Sequence, residues 1–192
     1  SLTYARRQTL HATIAERIIQ QSGDLLPTQY PVLAYHFSQT TRHQDGFTYA
    51  LAAAEEAEAQ HNHRGAAEFY KQVAHHLEAL GDKATWETAV SVSIAHVKTL
   101  LRLGRFNQAW LLTTEAMQRC LNQEDPAQLL PIYNLQAEIR LCQARYNDVP
   151  LLASKVINSL LADVPSAELG QAYLLWAQSL MALADWSATI PI

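Results

Sequence analysis

Histidines are the residues of this sequence whose types and spacing most readily suggest chemistry, since eight occur in 192 residues. His61 and His63 stand close together, and His75 and His76 are adjacent. A structural zinc site needs four ligands in a tetrahedral arrangement. Adjacent helical residues point about 100° apart, and no cysteine or pair of carboxylates stands at ligand spacing beside His61 and His63. We therefore expect no metal site and no cofactor.

The remaining candidates for catalysis also favour structural roles. The acidic run of Glu55, Glu56 and Glu58 lies among alanines, which predicts a solvated helix face rather than paired carboxylates for acid–base chemistry. The serines form no GxSxG motif, so a hydrolase triad has no anchor. We expect His11 and His36 to form hydrogen bonds at helix junctions. The sequence thus predicts no catalytic residue and a protein that is not an enzyme.

The cysteines and tryptophans fit the interior of a helical protein. Cys120 and Cys142 show no CxxC spacing, which predicts two reduced, buried thiols. The tryptophans stand at helical spacing among apolar neighbours, so core packing is expected, with a ligand platform as the alternative. They are Trp86, Trp110, Trp176 and Trp186.

Composition predicts an all-α protein. The chain is 49% hydrophobic and 17% charged, with only 6 Gly and 7 Pro, and it is rich in residues that lose little freedom in a helix. The net charge is −4 without a dense basic run, which disfavours direct binding to nucleic acid. No apolar run approaches the roughly 18 to 20 residues that cross a bilayer. We therefore expect a cytoplasmic protein without membrane contact.

An internal repeat predicts how the helices are organised. Three segments align without gaps at equal spacing, beginning at Leu100, Arg140 and Leu180. Their shared columns hold a small residue, an aromatic residue and a good N-cap residue, so a tight turn and a new helix are expected in each copy. These columns are Gly104, Ala144 and Ala184, then Phe106, Tyr146 and Trp186, then Asn107, Asn147 and Ser187.

Further columns precede these turns at helical spacing and predict the buried face of the first helix in each copy. They are Ser93, Tyr133 and Tyr173, then Val97, Ala137 and Ala177, then Leu101, Leu141 and Met181. The Asp125–Pro126 step predicts a helix start, and Gly81 with Asp82 predicts a helix end.

The N-terminal part of the chain, up to Asp82, contains two looser helix pairs. Residues 60–64 are polar and predict a turn, followed by an apolar face made of Ala66, Ala67, Phe69, Tyr70, Val73 and Leu77. In the first pair the predicted face is Leu10, Ile14 and Ile18, and the predicted break lies at Pro27 and Pro31. We therefore expect one domain over residues 1–192, with about four helix pairs and an incomplete fifth, cut from a longer protein.

The turn with its small and aromatic residues, followed by Ala109 and Ala116, resembles the tetratricopeptide repeat. The period here, about 40 residues, exceeds the roughly 34 that are typical of that repeat. In addition, Ser93 and Val97 replace the expected tryptophan and glycine. The resemblance implies a tetratricopeptide-like α-α superhelix, a right-handed solenoid of antiparallel helix pairs with the first helices on its concave face.

The chain up to Leu80 carries a second pattern, made of these residues: Arg6, Arg7, Leu10, His11, Ile14, Ala15, Leu33, Ala34, His36, Ala66, Ala67 and Tyr70. This succession resembles the helical region that follows the nucleotide-binding module in bacterial signal-transduction ATPases of the STAND class, including maltose-regulon-activator-like regulators. The resemblance implies a sensor and scaffold arm of such an ATPase. The chain itself contains no GxxxxGK[ST] loop.

Two functions are expected from these observations. The first is a regulatory scaffold that binds a protein or peptide, or another domain of the same polypeptide; the second is a small-molecule (inducer) sensor. Polar residues of first helices that avoid the apolar columns predict the groove: Lys98, Arg102, Asn134, Glu138, Gln171 and Gln178. The incomplete fifth pair also predicts a homodimer, because the apolar side chains of Leu174, Leu175, Trp176 and Leu180 lose their cover.

Overall fold

The computed structural model describes residues 3–21, 27–123, 128–159 and 166–188, and every regular element within these ranges is helical. The all-α prediction is confirmed. The helices of this part of the chain are α1 (Tyr4–Gln21), α2 (Tyr30–Ser38), α3 (His43–Ala59), α4 (His63–Leu80), α5 (Trp86–Arg102), α6 (Phe106–Asn122), α7 (Leu129–Cys142), α8 (Val149–Ile157) and α9 (Ala167–Ala188). Within the same ranges, none of the helices combines the length and apolar character that crossing a bilayer requires.

Consecutive helices pack against each other in pairs. Helix α1 packs on α2, α3 on α4, and α7 on α8, and α9 then packs on both α7 and α8. The chain divides into two compact units, which we call unit 1 (Ser1–Val92) and unit 2 (Ser93–Ile192). The boundary between the units falls within α5.

Alanines dominate the buried faces of α3 and α4 in unit 1. Buried positions of the two helices include Ala50, Ala53, Ala54, Ala57, Ala66 and Ala67. Such small side chains let two helix backbones approach closely. The predicted apolar face of α4 is largely confirmed, because Tyr70 and Val73 are also buried, while Phe69 and Leu77 are half-buried.

The predicted face of α1 is confirmed in part, because Ile14 and Ile18 are half-buried and Ile18 packs against the α1–α2 cluster. Leu10 is 49% exposed, whereas Ala15 is fully buried and packs with Leu33 and Phe37 of α2.

The predicted break at Pro27 and Pro31 lies where the structure changes helix, since α1 ends at Gln21 and a 3-10 turn (Pro27–Gln29) precedes α2. Pro31 marks the start of the second helix. It lies in the first turn of α2, where the missing N–H of proline removes no helical hydrogen bond.

Unit 2 has a core of larger side chains. Val97 and Leu100 of α5 pack with Ala109 of α6 and with Leu135 and Ile139 of α7. Tyr133 borders the two neighbouring clusters that α7, α8 and α9 form together. The expected packing of two tryptophans is confirmed, since half-buried Trp110 and Trp176 border these clusters. The side chain of Trp186 lies outside the described residues.

The turns after α3, α5 and α7 share one backbone geometry. The residue at the centre of each turn has a positive φ angle: 57° at His61, 69° at Gly104 and 56° at Ala144. The next residue then donates its N–H to a carbonyl five positions earlier, which ends the preceding helix. These bonds are Asn62 to Ala57 (2.8 Å), Arg105 to Leu100 (2.9 Å) and Arg145 to Arg140 (2.8 Å). The small-residue column therefore supplies a left-handed backbone position, which glycine adopts most easily.

The N-cap predictions at Asn107 and Asn147 are wrong. Helix α6 already begins at Phe106, and Asn147 lies in a 3-10 turn that precedes α8. After the left-handed residue Gly104, the N-cap position is already taken by Arg105 and the helix begins at Phe106. The asparagine one residue later lies inside the helix and cannot cap it. Asn62 occupies the correct position in unit 1, where its Oδ1 accepts the N–H of Gly65 at 3.0 Å.

The third predicted turn is also wrong, because α9 runs unbroken through Ala184 and Ser187 to Ala188. Residues 180–188 contain no glycine and include three alanines and two leucines, which favour helix. The buried face of α9 contains Ala172, Leu175 and Ser179. Consequently the predicted column in this copy is exposed on the helix: Tyr173, Ala177 and Met181. The helix start predicted at residues 125–126 lies outside the described residues.

Candidate binding site

A cavity of about 640 Å³ lies within unit 2 and is lined by α5, α7 and the first turns of α9. Its apolar floor combines aliphatic side chains from α5 and α7, and its rim is polar. The lining residues are Ile94, Lys98, Leu101, Arg102, Pro131, Asn134, Leu135, Glu138, Cys142, Ala167, Glu168 and Gln171.

Helical periodicity explains why these side chains meet. Ile94, Lys98 and Arg102 follow one another at steps of four residues along α5, so they share one face of that helix. On α7, Asn134, Glu138 and Cys142 do the same. The cavity therefore presents alternating apolar and polar side chains on facing helices.

Five of the six residues predicted for a groove line this cavity: Lys98, Arg102, Asn134, Glu138 and Gln171. Gln178 is exposed and does not line it. It lies seven residues beyond Gln171, which places it on nearly the same side of α9 but about 10 Å further along the axis. The sequence pattern predicts the correct face of α9 but not that the cavity ends before Gln178.

Glu138 is the central charged residue of the cavity. Its side chain is half-buried, and burial raises the pKa of its carboxyl group, while the nearby cations Lys98 and Arg102 act to lower that pKa. Lys98 and Arg102 themselves are exposed on α5. One carboxylate thus faces two cations at the border of an apolar surface.

Asn134 is the most buried polar residue of the cavity, with 6% of its surface exposed. Its Nδ2 donates a 2.7 Å hydrogen bond to the backbone carbonyl of Glu168 at the start of α9. Its Oδ1 is buried without a hydrogen-bond partner. An unpaired buried acceptor costs about 1–3 kcal/mol and is uncommon in a folded protein.

Cys142 corrects a prediction from the sequence. The thiol was expected to be buried, but the residue is exposed, whereas Cys120 is fully buried as expected. Cys142 is the last residue of α7, where the helix ends and no further turn covers the side chain. Partial burial, and then the negative charge of Glu138, raise the pKa of the thiol.

Several lining residues were not predicted as part of a site. Ile94, Pro131, Leu135 and Glu168 stand three or four residues from the predicted polar positions. That spacing is the signal that could have identified them, because neighbours at this spacing share a helix face.

The histidines take the roles of helix contacts in the described residues. His11 and His36 form the expected hydrogen bond between α1 and α2, with 2.9 Å between their Nδ1 atoms. His63 Nδ1 lies 3.4 Å from the carboxylate of Glu58, and its ring lies 6.2 Å from that of His61. Within residues 3–21, 27–123, 128–159 and 166–184, no three or more His, Cys, Asp or Glu side chains are grouped so that they could hold a metal ion.

Comparison with other proteins adds no assignment. No protein-family model, curated protein or solved structure matches this chain. The resemblances to tetratricopeptide repeats and to STAND-class ATPases therefore stay predictions.

Proposed function

We propose that this chain is a regulatory interaction module that binds a segment of another protein, or of another domain of the same polypeptide, in the cavity of unit 2. The observation that carries the proposal is the lining of that cavity. It joins an apolar floor to a rim on which cationic, acidic and amide groups converge. Interfaces that bind peptides combine pockets for apolar side chains with polar groups that fix orientation.

The lining also indicates what such a segment presents. An apolar side chain would cover Ile94, Leu101 and Leu135 and leave water, which is the main favourable term. An N–H donor of the segment that reached Asn134 Oδ1 would give this atom the partner that it lacks. Polar groups of the segment would then meet Glu138 and Gln171 at the rim.

The resemblances extend this proposal to the longer protein. Following them, we propose a cytoplasmic bacterial signalling or transcription-regulating ATPase of the STAND class, with this chain as its scaffold arm, and a right-handed superhelix of tetratricopeptide-like pairs. Small-angle X-ray scattering tests the arrangement. A compact domain of this length has a radius of gyration of about 16 Å, and a solenoid requires a clearly larger value.

The binding proposal is tested by selecting from a library of random dodecapeptides on the wild-type chain and measuring the affinity of the selected peptides for variants. Gln171→Glu and Gln178→Glu form a matched pair, since both glutamines are exposed on α9 and only Gln171 lines the cavity. We expect Gln171→Glu and Glu138→Lys to weaken binding about tenfold or more, which corresponds to about 1.4 kcal/mol. Gln178→Glu should retain wild-type affinity. Equal effects of the two glutamine variants, or no selected peptide, would count against the proposal.

The volume of the cavity favours a second candidate function. About 640 Å³ lies within the roughly 300–1,000 Å³ of sites for small molecules, so the cavity also suits an inducer. A fragment library screened by NMR separates the two functions. A sensor requires a small molecule that shifts the resonances of Asn134 and Gln171 but leaves Gln178 unchanged.

A further inference from the structure

A pair of imidazoles joins the two helices of the alanine-rich contact in unit 1. His43, the first residue of α3, and His76 of α4 approach with 3.2 Å between their Nδ1 atoms. A hydrogen bond between two imidazoles needs one N–H and one lone pair, so the bond exists only while the pair shares a single proton between these two atoms.

His76 has no room to move away from this partner. It is 1% exposed, and its ring lies directly against the backbone of α3 at Gly46. A Cβ atom at position 46 would come within 2.4 Å of ring atoms of His76. Glycine at this position is therefore what admits the imidazole between the two helices.

The other ring nitrogen of His76 decides which tautomer the pair adopts. Nε2 is buried and has no hydrogen-bond partner. A proton on Nε2 would bury an unpaired N–H, so the neutral ring carries its proton on Nδ1 and donates it to His43. One added proton, on His43, either leaves an N–H on both Nδ1 atoms or moves the His76 proton to its buried, unpartnered Nε2, and in both cases the bond is weakened. A further proton, on His76, leaves no acceptor and places two positive charges about 3 Å apart, where like charges repel strongly.

The surroundings of His76 favour the neutral ring. Burial, followed by the nearby His43 of α3 and His75 of α4, lowers the pKa of His76 from its ordinary 6.5 to about 4. Unfolding would return the residue to its ordinary pKa. The folded state therefore gains stability from this residue above about pH 6.5, and loses it progressively as the pH falls from 6.5 towards 4.

Unit 1 repeats the same contact between its first two helices. The Nδ1 atoms of His11 and His36 approach to 2.9 Å, and burial, then His11, lowers the pKa of His36. This second pair is half-buried and borders the exposed ring of Tyr35. The chemistry is the same, but solvent reaches it more easily than the His43–His76 pair.

We propose that the His43–His76 pair is an acid-sensitive clasp: its hydrogen bond joins α3 to α4 while both imidazoles are neutral, and the bond is lost when both are protonated. Most buried side chains of α3 and α4 are alanines, with Gly46, and Tyr70 and Val73 are the larger buried residues of α4, so repulsion between the imidazoles acts on a contact made mostly of small side chains. Acidification would then open the α3–α4 contact before the aliphatic core of unit 2.

The wild-type chain provides the first test. Hydrogen exchange of backbone amides, corrected for the intrinsic effect of pH, is measured at pH 7.5 and at pH 4.5, with NMR titration of the imidazole protons in the same samples. We expect α3 and α4 amides to lose on the order of 100-fold in protection, α6 and α7 amides to lose clearly less, and His76 to remain neutral until the pH is well below 6. Titration of His76 near 6.5, or equal loss of protection in the four helices, would overturn the proposal.

Two variants sharpen this test. In His43→Gln the amide oxygen can still accept the N–H of His76 but cannot acquire a charge, so the acid-induced loss of protection in α3 and α4 should become smaller without vanishing, because burial of His76, the larger cause of its lowered pKa, remains. His61→Asn is the control, because His61 is exposed in the turn after α3 and asparagine tolerates its positive φ angle. The control should retain the wild-type pH dependence. An unchanged pH dependence in His43→Gln would overturn the clasp.

Discussion

The helix contacts of the two units differ in the size of the side chains that make them. In unit 1, α3 and α4 meet through alanines, and Gly46 lets a histidine ring lie against the helix backbone. In unit 2, α5 and α7 meet through larger residues such as Leu100, Leu135 and Ile139, and a cavity of about 640 Å³ opens beside this contact. Small side chains close a helix contact, whereas large ones hold helices apart and can leave space for a ligand.

The largest effect is expected from removing one of the large contacts in unit 2. Leu100 is 1% exposed, so Leu100→Ala should lower the free energy of unfolding by about 2–5 kcal/mol, through lost burial and the void that remains. Leu111→Ala is the matched control, because Leu111 is 59% exposed, and it should change stability by less than about 0.5 kcal/mol. Urea denaturation, with hydrogen exchange to locate the loss in unit 2, measures both. Similar costs for the two leucines would contradict the described core.

The converse change tests the close contact in unit 1. Ala54 of α3 is fully buried, so Ala54→Leu should destabilise the protein by about 1–3 kcal/mol, because the added atoms have no space. Ala59 ends the same helix and is exposed, so Ala59→Leu should be nearly neutral. Hydrogen exchange should show the loss of Ala54→Leu in α3 and α4. A neutral result at Ala54 would contradict the close packing around α3.

The smallest effect distinguishes the turns of the two units. Asn62 caps α4 through its bond to Gly65, so Asn62→Ala should cost about 1 kcal/mol. Asn107 stands at the second position of α6, so Asn107→Ala should stay within about 0.5 kcal/mol. Thermal or urea denaturation of both variants provides the comparison. If Asn107→Ala lowered the free energy of unfolding more than Asn62→Ala, Asn107 would act as the N-cap that the repeat pattern predicted.

The repeat pattern in the sequence predicted part of this structure for a clear physical reason. Helix class and the turns around residues 61, 104 and 144 follow from local spacing and from residues that admit a left-handed backbone. The unbroken α9 did not follow from that pattern. Ala144 and Ala184 occupy the same column of the repeat. Ala144 takes a positive φ angle, which costs energy that surrounding contacts must offset. A repeat column reports residue types but not those surrounding contacts, so it did not predict that the helix continues through Ala184.

The cavity too was predicted only in part from the sequence. Helical spacing brought Lys98, Asn134 and Glu138 together on facing helices, as the sequence predicted, but not Gln178. The exposed position of Cys142 and the unpaired Oδ1 of Asn134 depend on where α7 ends and on how α9 begins. Those contacts join residues far apart in the chain, such as Asn134 and Glu168 at 2.7 Å, and no local pattern reports them. The His43–His76 pair likewise joins residues that are 33 positions apart in the chain, so no local pattern reports it.

The most direct test of the binding proposal uses Cys142, which lines the cavity and is exposed, while Cys120 is fully buried. The measurement is the rate at which N-ethylmaleimide alkylates Cys142 at pH 8.5, with and without a saturating peptide from the library selection. Our account predicts that the bound peptide slows alkylation of Cys142 at least about tenfold, with Cys120 unmodified in both samples. An unchanged rate at full saturation would place the peptide elsewhere and contradict the assignment of the cavity as the binding site.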